Sequence, residues 1–408
     1  MMNGYKETKI GRIPEDWRVL MIKELGKTES GGTPYRKNPN YYDGDIPWIK
    51  TGELSKKYIN HSEENITHEG LINSSAKLIP KGTLIVAMYG ATIGKLSILK
   101  IESATNQACC AIICDKTITN EEFLYYSLLN RKNLLISMGA GGAQPNISQQ
   151  IIKKFSVPIP PLSEQKIIAK TLSTIDEAIE KTAAIIEETR QLKKGLMQKL
   201  FTEGIGHTQF KETKIGRIPE EWEIVKLEEY TKIIMGQSPS SSDCNDEIRG
   251  FPFFQGNGEF GSKYPIAKYW TTNPTKLAQP DDILMSVRAP VGEFNISNSK
   301  CCIGRGLCAI RPSVQIDLYF TLYCLKSSIH RLKRLEQGST FTAVNKTDIT
   351  TFEIPYPPIG EQSQITKILS KVDAKIEKEV ATKVELEQLK KGLMQVLLTG
   401  QIRVKVKA

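Results

Sequence analysis

Histidine is scarce in this 408-residue chain, at four, and the eight cysteines never fall in a Cys-x-x-Cys pair. Zinc-type sites need such ligands at short spacing, so that chemistry is disfavoured. Cys109-Cys110 and Cys301-Cys302 are adjacent pairs in apolar surroundings. With Cys114, Cys244, Cys308 and Cys324 they read as reduced thiols on buried strands, which points to the cytoplasm. No 18-residue apolar run, signal peptide or transit segment is found, which argues against a membrane span or export.

Complete catalytic motifs are missing as well. Gly90-Ala91-Thr92-Ile93-Gly94-Lys95-Leu96 has three residues between its glycines where a phosphate-cradling loop has four, and Leu96 stands in place of Ser or Thr. A tight turn between strands is expected there. Gly139–Asn146 lacks the dinucleotide spacing and follows a predicted helix, not a strand. The double prolines Pro160-Pro161 and Pro357-Pro358 follow Ile159 and Tyr356, so no amino-methyltransferase motif forms. Pro280-Asp281 is not followed by the acidic-x-Lys triplet of a nuclease.

What is present is a duplication. Leu192–Gln198 recurs letter for letter as Leu389–Gln395, and Lys6–Glu15 as Lys211–Glu220, with Trp17 echoed by Trp222. Ten identical residues in a row do not arise by chance, so the chain is two tandem units, each a globular region followed by a long helix. Steps of three and four mark the helices: Ile168, Leu172, Ile175, Ile179, Ile186, Leu192, Leu196 and Leu200, then, 197 residues on, Ile365, Leu369, Val372, Ile376, Lys383, Leu389, Leu393 and Leu397. Each follows a double proline, which cannot continue an upstream helix, with Ser163 or Gly360 as N-cap and Glu164 or Glu361 in the first turn. Gly195 and Gly392 inside these helices cost ~1 kcal/mol each relative to Ala, which suggests close approach by a neighbouring helix.

The fold class is α+β: mixed α/β domains over residues 1–161 and 207–358, with helices over 162–206 and 359–408, the last carrying a basic tail. Strand pairs are expected at Thr83–Met88 with Ala108–Cys114 and at Asp282–Val287 with Leu307–Arg311, then helices at Asn120–Ser137 and Asp317–Leu335. If the long helices pair antiparallel, the second returns to the first region and the protein has an internal pseudo-twofold. Roughly 39 residues at ~1.5 Å each give a spacer of ~58 Å, or about 17 base pairs of duplex.

Net charge is +10, yet Ser163–Phe201 and Glu361–Leu398 each hold seven basic and six acidic residues. The surplus therefore lies in the globular regions and in the tail with Arg403, Lys405 and Lys407, where a polyanion would bind. Candidate nucleic-acid contacts in the first region are Arg36, Tyr41, Lys50, Thr51, Tyr89, Lys95, Gln144 and Asn146. Those in the second are Gln255, Asn257, Lys263, Arg288, Arg305, Thr340 and Asn345. Arg suits guanine, Asn and Gln suit adenine, and Lys suits phosphate.

The chain resembles the specificity subunit of a type I restriction-modification system over essentially its whole length. The likeness rests on Gly-x-Ile-Pro-x-x-Trp at Gly11–Trp17 and Gly216–Trp222, on Gly31–Pro34 with Asp45–Trp48, and on Gln144–Ser148. Pro160–Gln165 and Lys194–Gln198 complete it. The second copy departs where Gly338–Asn345 replaces the Gln-Pro-Asn loop. The resemblance implies two target recognition domains, each reading half of a bipartite site in double-stranded DNA, and an antiparallel coiled-coil spacer. It also implies docking of two methyltransferase (modification) subunits at Lys194, Gly195, Met197, Lys391, Gly392 and Met394, with restriction/translocase subunits joining them. No cofactor is expected in this chain; S-adenosylmethionine would serve the methyltransferase partner, and ATP with Mg the restriction partner. Readings from other classes are an enzyme with an unrecognised centre and a coiled-coil scaffold whose ends bind protein.

Overall fold

Each double proline is followed at once by helix. A computed structural model describes residues 4–139, 146–334 and 343–405, and in it Leu162–Thr202 and Ile359–Leu397 are single uninterrupted helices. Both begin ahead of the expected caps, because the carbonyls of Pro161 and Pro358 already accept from Gln165 and Gln362 at 3.0 Å. Ser163 and Gly360 thus lie inside the first turn. Burial follows a strict heptad: 168, 175, 182, 189, 196 and 172, 179, 186, 193, 200 turn inward to varying degree. Thr182 and Thr189 fill the seam, each donating its hydroxyl to the carbonyl four residues back. Leu192 and Leu389 do not belong to it and are 57% and 51% exposed.

The chain divides into two compact units, Met1–Ala183 with Ala381–Ala408, and Ala184–Val380. In the first, a five-stranded sheet runs in the order Gly26–Ser30, Cys109–Cys114, Leu84–Ala87, Leu96–Leu99, Tyr58–Ile59. A three-stranded sheet places Tyr42–Ile49 between Ala104–Thr105 and Glu64–Ile66. In the second, Thr231–Met235, Leu307–Pro312, Ile283–Ser286 and Phe294–Ile296 form the first sheet. Phe251–Phe254 lies between Tyr269–Thr271 and Cys301–Ile303 in the other. Cysteines other than Cys244 are buried in these sheets and helices, and burial pushes the thiols of Cys110, Cys114 and Cys308 up to about 12. The expected helix Asn120–Ser137 is two, Glu121–Asn130 and Lys132–Ser137, broken at Arg131, whose backbone leaves helical geometry. Its counterpart is likewise Leu318–Ser327 and Ile329–Arg334. No helix among the described residues is long and apolar enough to cross a membrane.

The two duplicated sequence signatures meet in space. Trp17 Nε1 donates to Glu164 Oε2 at 3.1 Å, and Trp222 Nε1 to Glu361 Oε2 at 3.0 Å. Both indoles are fully buried, and Glu164 is 1% exposed. The first carboxylate also accepts two bonds from Arg403, at 2.7 and 2.8 Å, and Arg403 reaches Asp16 on its other edge. In the second unit His207 Nε2 takes that place, 3.0 Å from Glu361 Oε1, with the Ile205 N–H at 2.8 Å. Within each unit, early turns of one long helix face late turns of the other: Asp176 pairs with Lys390, and Lys193 with Asp373, both at 2.5 Å. The helices are therefore antiparallel in each.

Replacing Glu164 by Ala should cost about 1–3 kcal/mol, because the buried indole N–H of Trp17 loses its acceptor, while Arg403, exposed and still paired with Asp16, adds little. Hydrogen exchange would show it as lost protection in the first unit, with that of the second unchanged.

Candidate nucleic-acid interface

In the second unit, three loop tips converge. Gln255 follows the strand Phe251–Phe254, Arg288 follows Ile283–Ser286, and Arg305 sits in the turn between Cys301–Ile303 and Leu307–Pro312. They line one cleft of about 810 Å3 with Ser238, Phe253 and Tyr269. Both guanidinium groups are exposed, and neither forms an ion pair among the described residues. Two unengaged guanidinium groups beside an amide and an aromatic ring can present forked donors to a base edge or a phosphate. Ser238 and Tyr269 carry no motif that sequence reasoning could have used; only the sheet brings them here.

The remaining candidates of this unit lie elsewhere. Lys263 hydrogen-bonds Tyr319 and Tyr264, which hold its ammonium pKa up, and lines a cleft beside Ser370, Asp373 and Glu377 of the long helix. Its counterpart is Lys57, which sequence reasoning passed over. That side chain is buried against Tyr126, Ser173 and Glu122, with desolvation pulling its pKa down. Asn257 opens a short turn and lines a separate cleft with Phe260 and Pro290. Asn345 caps the helix Lys346–Thr350, its Oδ1 accepting from Asp348 N at 3.0 Å. Thr340 and Gln144 lie outside the described residues.

In the first unit two of the expected basic readers, Arg36 and Lys50, are engaged. Arg36 and Lys50 both pair with Glu64, at 2.6 and 2.7 Å, and Arg36 stacks over Tyr42 and Trp48. Lys50 first, then Arg36, holds the Glu64 carboxyl below its ordinary value, and Glu64 in turn raises that of Lys50. Thr51 opens the turn Thr51–Glu53, and the Tyr41 carbonyl accepts from Thr67 N. Tyr89 is exposed before the turn Gly90–Thr92, as the sequence anticipated, with Lys95 just beyond it. Asn146 is exposed beside Ile147, whose N–H reaches the Met88 carbonyl at 2.8 Å.

Of the docking candidates, Lys194, Gly195, Lys391 and Gly392 are exposed on the long helices, and Met197 is half-buried. Met394 is 8% exposed and packs in the core of the first unit. A Cβ at Gly195 or Gly392 would meet nothing within 4 Å, so none of the described residues makes the close approach their presence suggested.

Two units of like topology, each packing its sheets on antiparallel stretches of the long helices, with an open cationic cleft in the second, define the class as a duplicated α+β protein. A family model, type I restriction modification DNA specificity domain, matches residues 14–190 and again 219–388. The MjaX specificity subunit of Methanocaldococcus jannaschii is 37% identical, covering 98% of this chain and 97% of the relative. The MjaVIII specificity subunit of that organism is 29% identical, covering 98% and 96%. A solved structure concerned with complex assembly and conformational transition of the type I R-M system aligns with a TM-score of 0.63 and 28% identity, covering 96% of this chain and 99% of its own. The chain belongs to the specificity subunits of type I restriction-modification systems. Such a subunit is non-catalytic and recognises DNA sequence, with catalysis in its partners.

Lys50→Ala should raise the Glu64 pKa toward the usual carboxylate range, measurable by carboxyl NMR titration. A depressed carboxylate stabilises the fold above its unfolded pKa and loses that contribution as pH falls through the folded one. The variant should therefore lose the Glu64 contribution at a higher pH than the parent.

Proposed function

We propose that each unit reads one half of a bipartite duplex site, with recognition domains spanning 1–161 and 207–358 and the long helices setting the gap between half-sites. The observation that carries this reading is the cleft where Gln255, Arg288 and Arg305 converge without acidic partners among the described residues. The chain confers this specificity on two methyltransferase subunits that use S-adenosylmethionine. Restriction subunits using ATP and Mg join the same assembly, in the cytoplasm. Docking uses the exposed Lys194–Gly195 and Lys391–Gly392 faces, where exposed Leu192 and Leu389 add apolar area.

Exchanging residues 20–155 for those of a relative should change one half of the methylated sequence and leave the other intact. Methylation mapping in cells checks this, and a change in both halves would exclude independent reading. Arg288→Ala should cost about 1–3 kcal/mol against the cognate duplex if it reads a guanine. In a competition assay, an equal loss on every sequence would mark a phosphate contact instead.

A further inference from the structure

We propose that Gln107 and Arg305 occupy one and the same reading station in the two units, with Gln107 selecting adenine and Arg305 guanine in their respective half-sites. This rests on the cleft being the base-reading surface and adds which residue of the first unit does the reading. Gln107 lies outside every recognisable motif and is not flagged by its neighbours in sequence.

Equivalence is established by backbone hydrogen bonds, not by letters. Gly32 N reaches the Thr105 carbonyl at 2.9 Å, and Gln237 N reaches that of Ile303 at 2.9 Å. Asn106 N meets Ile49 O at 3.0 Å, and Gly304 N meets Phe254 O at 2.8 Å. Met88 N meets Ala108 O at 2.8 Å, and Val287 N meets Gly306 O at 2.9 Å. Cys109 N closes its turn on Asn106 O at 3.1 Å, as Leu307 N does on Gly304 O at 3.0 Å. Asn106-Gln107-Ala108 and Gly304-Arg305-Gly306 are therefore one turn held by one lattice. The same bonds equate Lys50 with Gln255 and Tyr89 with Arg288. Parallel ladder pairs agree, with Trp48 opposite Ala104 and Phe253 opposite Cys302.

At this shared position the scaffold is constant and the side chain is not. Gln107 and Arg305 are both exposed at the tip of the turn. Thr33, at the position of Ser238, donates its hydroxyl to Gln107 Oε1. That bond orients the amide while leaving its second lone pair and both N–H groups, the set that matches the N6 and N7 edge of adenine. In the second unit the Ser238 hydroxyl accepts instead from the Arg305 backbone N–H at 3.3 Å, so the guanidinium keeps all its donors for O6 and N7 of guanine. The neighbouring stations differ as well: Lys50 is held by Glu64, whereas Gln255 and Tyr269 are free of such a pair among the described residues. Of the two, Lys50 and Gln107, direct selection in the first unit thus falls to Gln107.

The test uses the full chain assembled with its modification subunits and selects bound duplexes from a randomised pool. Gln107→Arg should convert one adenine of the first half-site to guanine, and Arg305→Gln one guanine of the second to adenine, each by tenfold or more in preference, on the order expected for a bidentate contact. The other half-site should not move. Gln107→Ala should relax that one position and keep the rest, which covers the case where arginine abolishes binding. Unaltered base preference in Gln107→Ala, or an equal loss on all sequences, overturns the assignment. If exchange of residues 20–155 still changes one half-site, only the station has failed. If that exchange changes neither half, the cleft reading fails with it.

Discussion

A tryptophan indole donating to a glutamate, fully buried at Glu164 and partly buried at Glu361, anchors the long helix in each unit. Trp17 comes from the hairpin region that opens the first unit, and Glu164 from the first turn of the helix that leaves it. Without the indole and a cation, a carboxylate this deeply buried would be costly to keep charged. Its presence therefore requires the third member of the site, and that member arrives from far away in sequence. Arg403 returns from beyond the second helix to complete the first unit, as His207 does from beyond the first helix to complete the second. Glycines at 204 and 400, with φ of +62° and +73°, turn the chain off each helix onto the tryptophan ring. A side chain at either position would strain the backbone and collide with that ring or the proline beside it.

Adjacent glutamines extend the same junction. Gln165 accepts from Asn120 N and donates to the carbonyls of Ile118 and Pro160, and Gln362 accepts from Asp317 N and donates to Pro357. Each glutamine thereby fixes the start of the helix that packs on the sheet. About three turns further along the long helix, Tyr126 donates to Asp176 and Tyr323 to Asp373, and each aspartate also holds a lysine of the opposing long helix. Burial and the neighbouring carboxylate push both tyrosine pKa values far up, so these hydroxyls remain donors at any physiological pH. Fully satisfied buried networks of this kind specify geometry. They tie the sheets of each unit rigidly to its helices.

A rigid frame lets the loop tips diverge. The lattice around the cleft is the same in both units, while Lys50, Tyr89 and Gln107 face Gln255, Arg288 and Arg305 as equivalents. Substitution at an exposed tip costs the fold little, because neither the core nor the ladder depends on it. A recognition protein gains from this arrangement: the tips can change without disturbing the helices and sheets that hold them.

The duplication, the two long helices and the absence of a catalytic motif were determined by the sequence itself, because helical periodicity and repeated letters are local properties. The strand pairs flanking Cys109–Cys114 and Leu307–Pro312 were legible for the same reason. The heptad seam was legible only in part: Thr182 and Thr189 lie in it and Leu192 does not, because the seam is set by which side chains the opposing helix covers. Sequence named Arg288, Arg305 and Gln255 as candidates, and folding leaves all three exposed on loop tips. It could not show the partners of Arg36, Lys50, Lys263 and Asn345, since the carboxylate, phenols and helix end that engage them are brought near by folding. Nor could it find Gln107 or Ser238. The offset between copies changes from 205 at the opening repeat to 197 at the helices, so equivalence inside the variable region is invisible to letters. Only the backbone hydrogen bonds, which do not depend on side-chain identity, decide it.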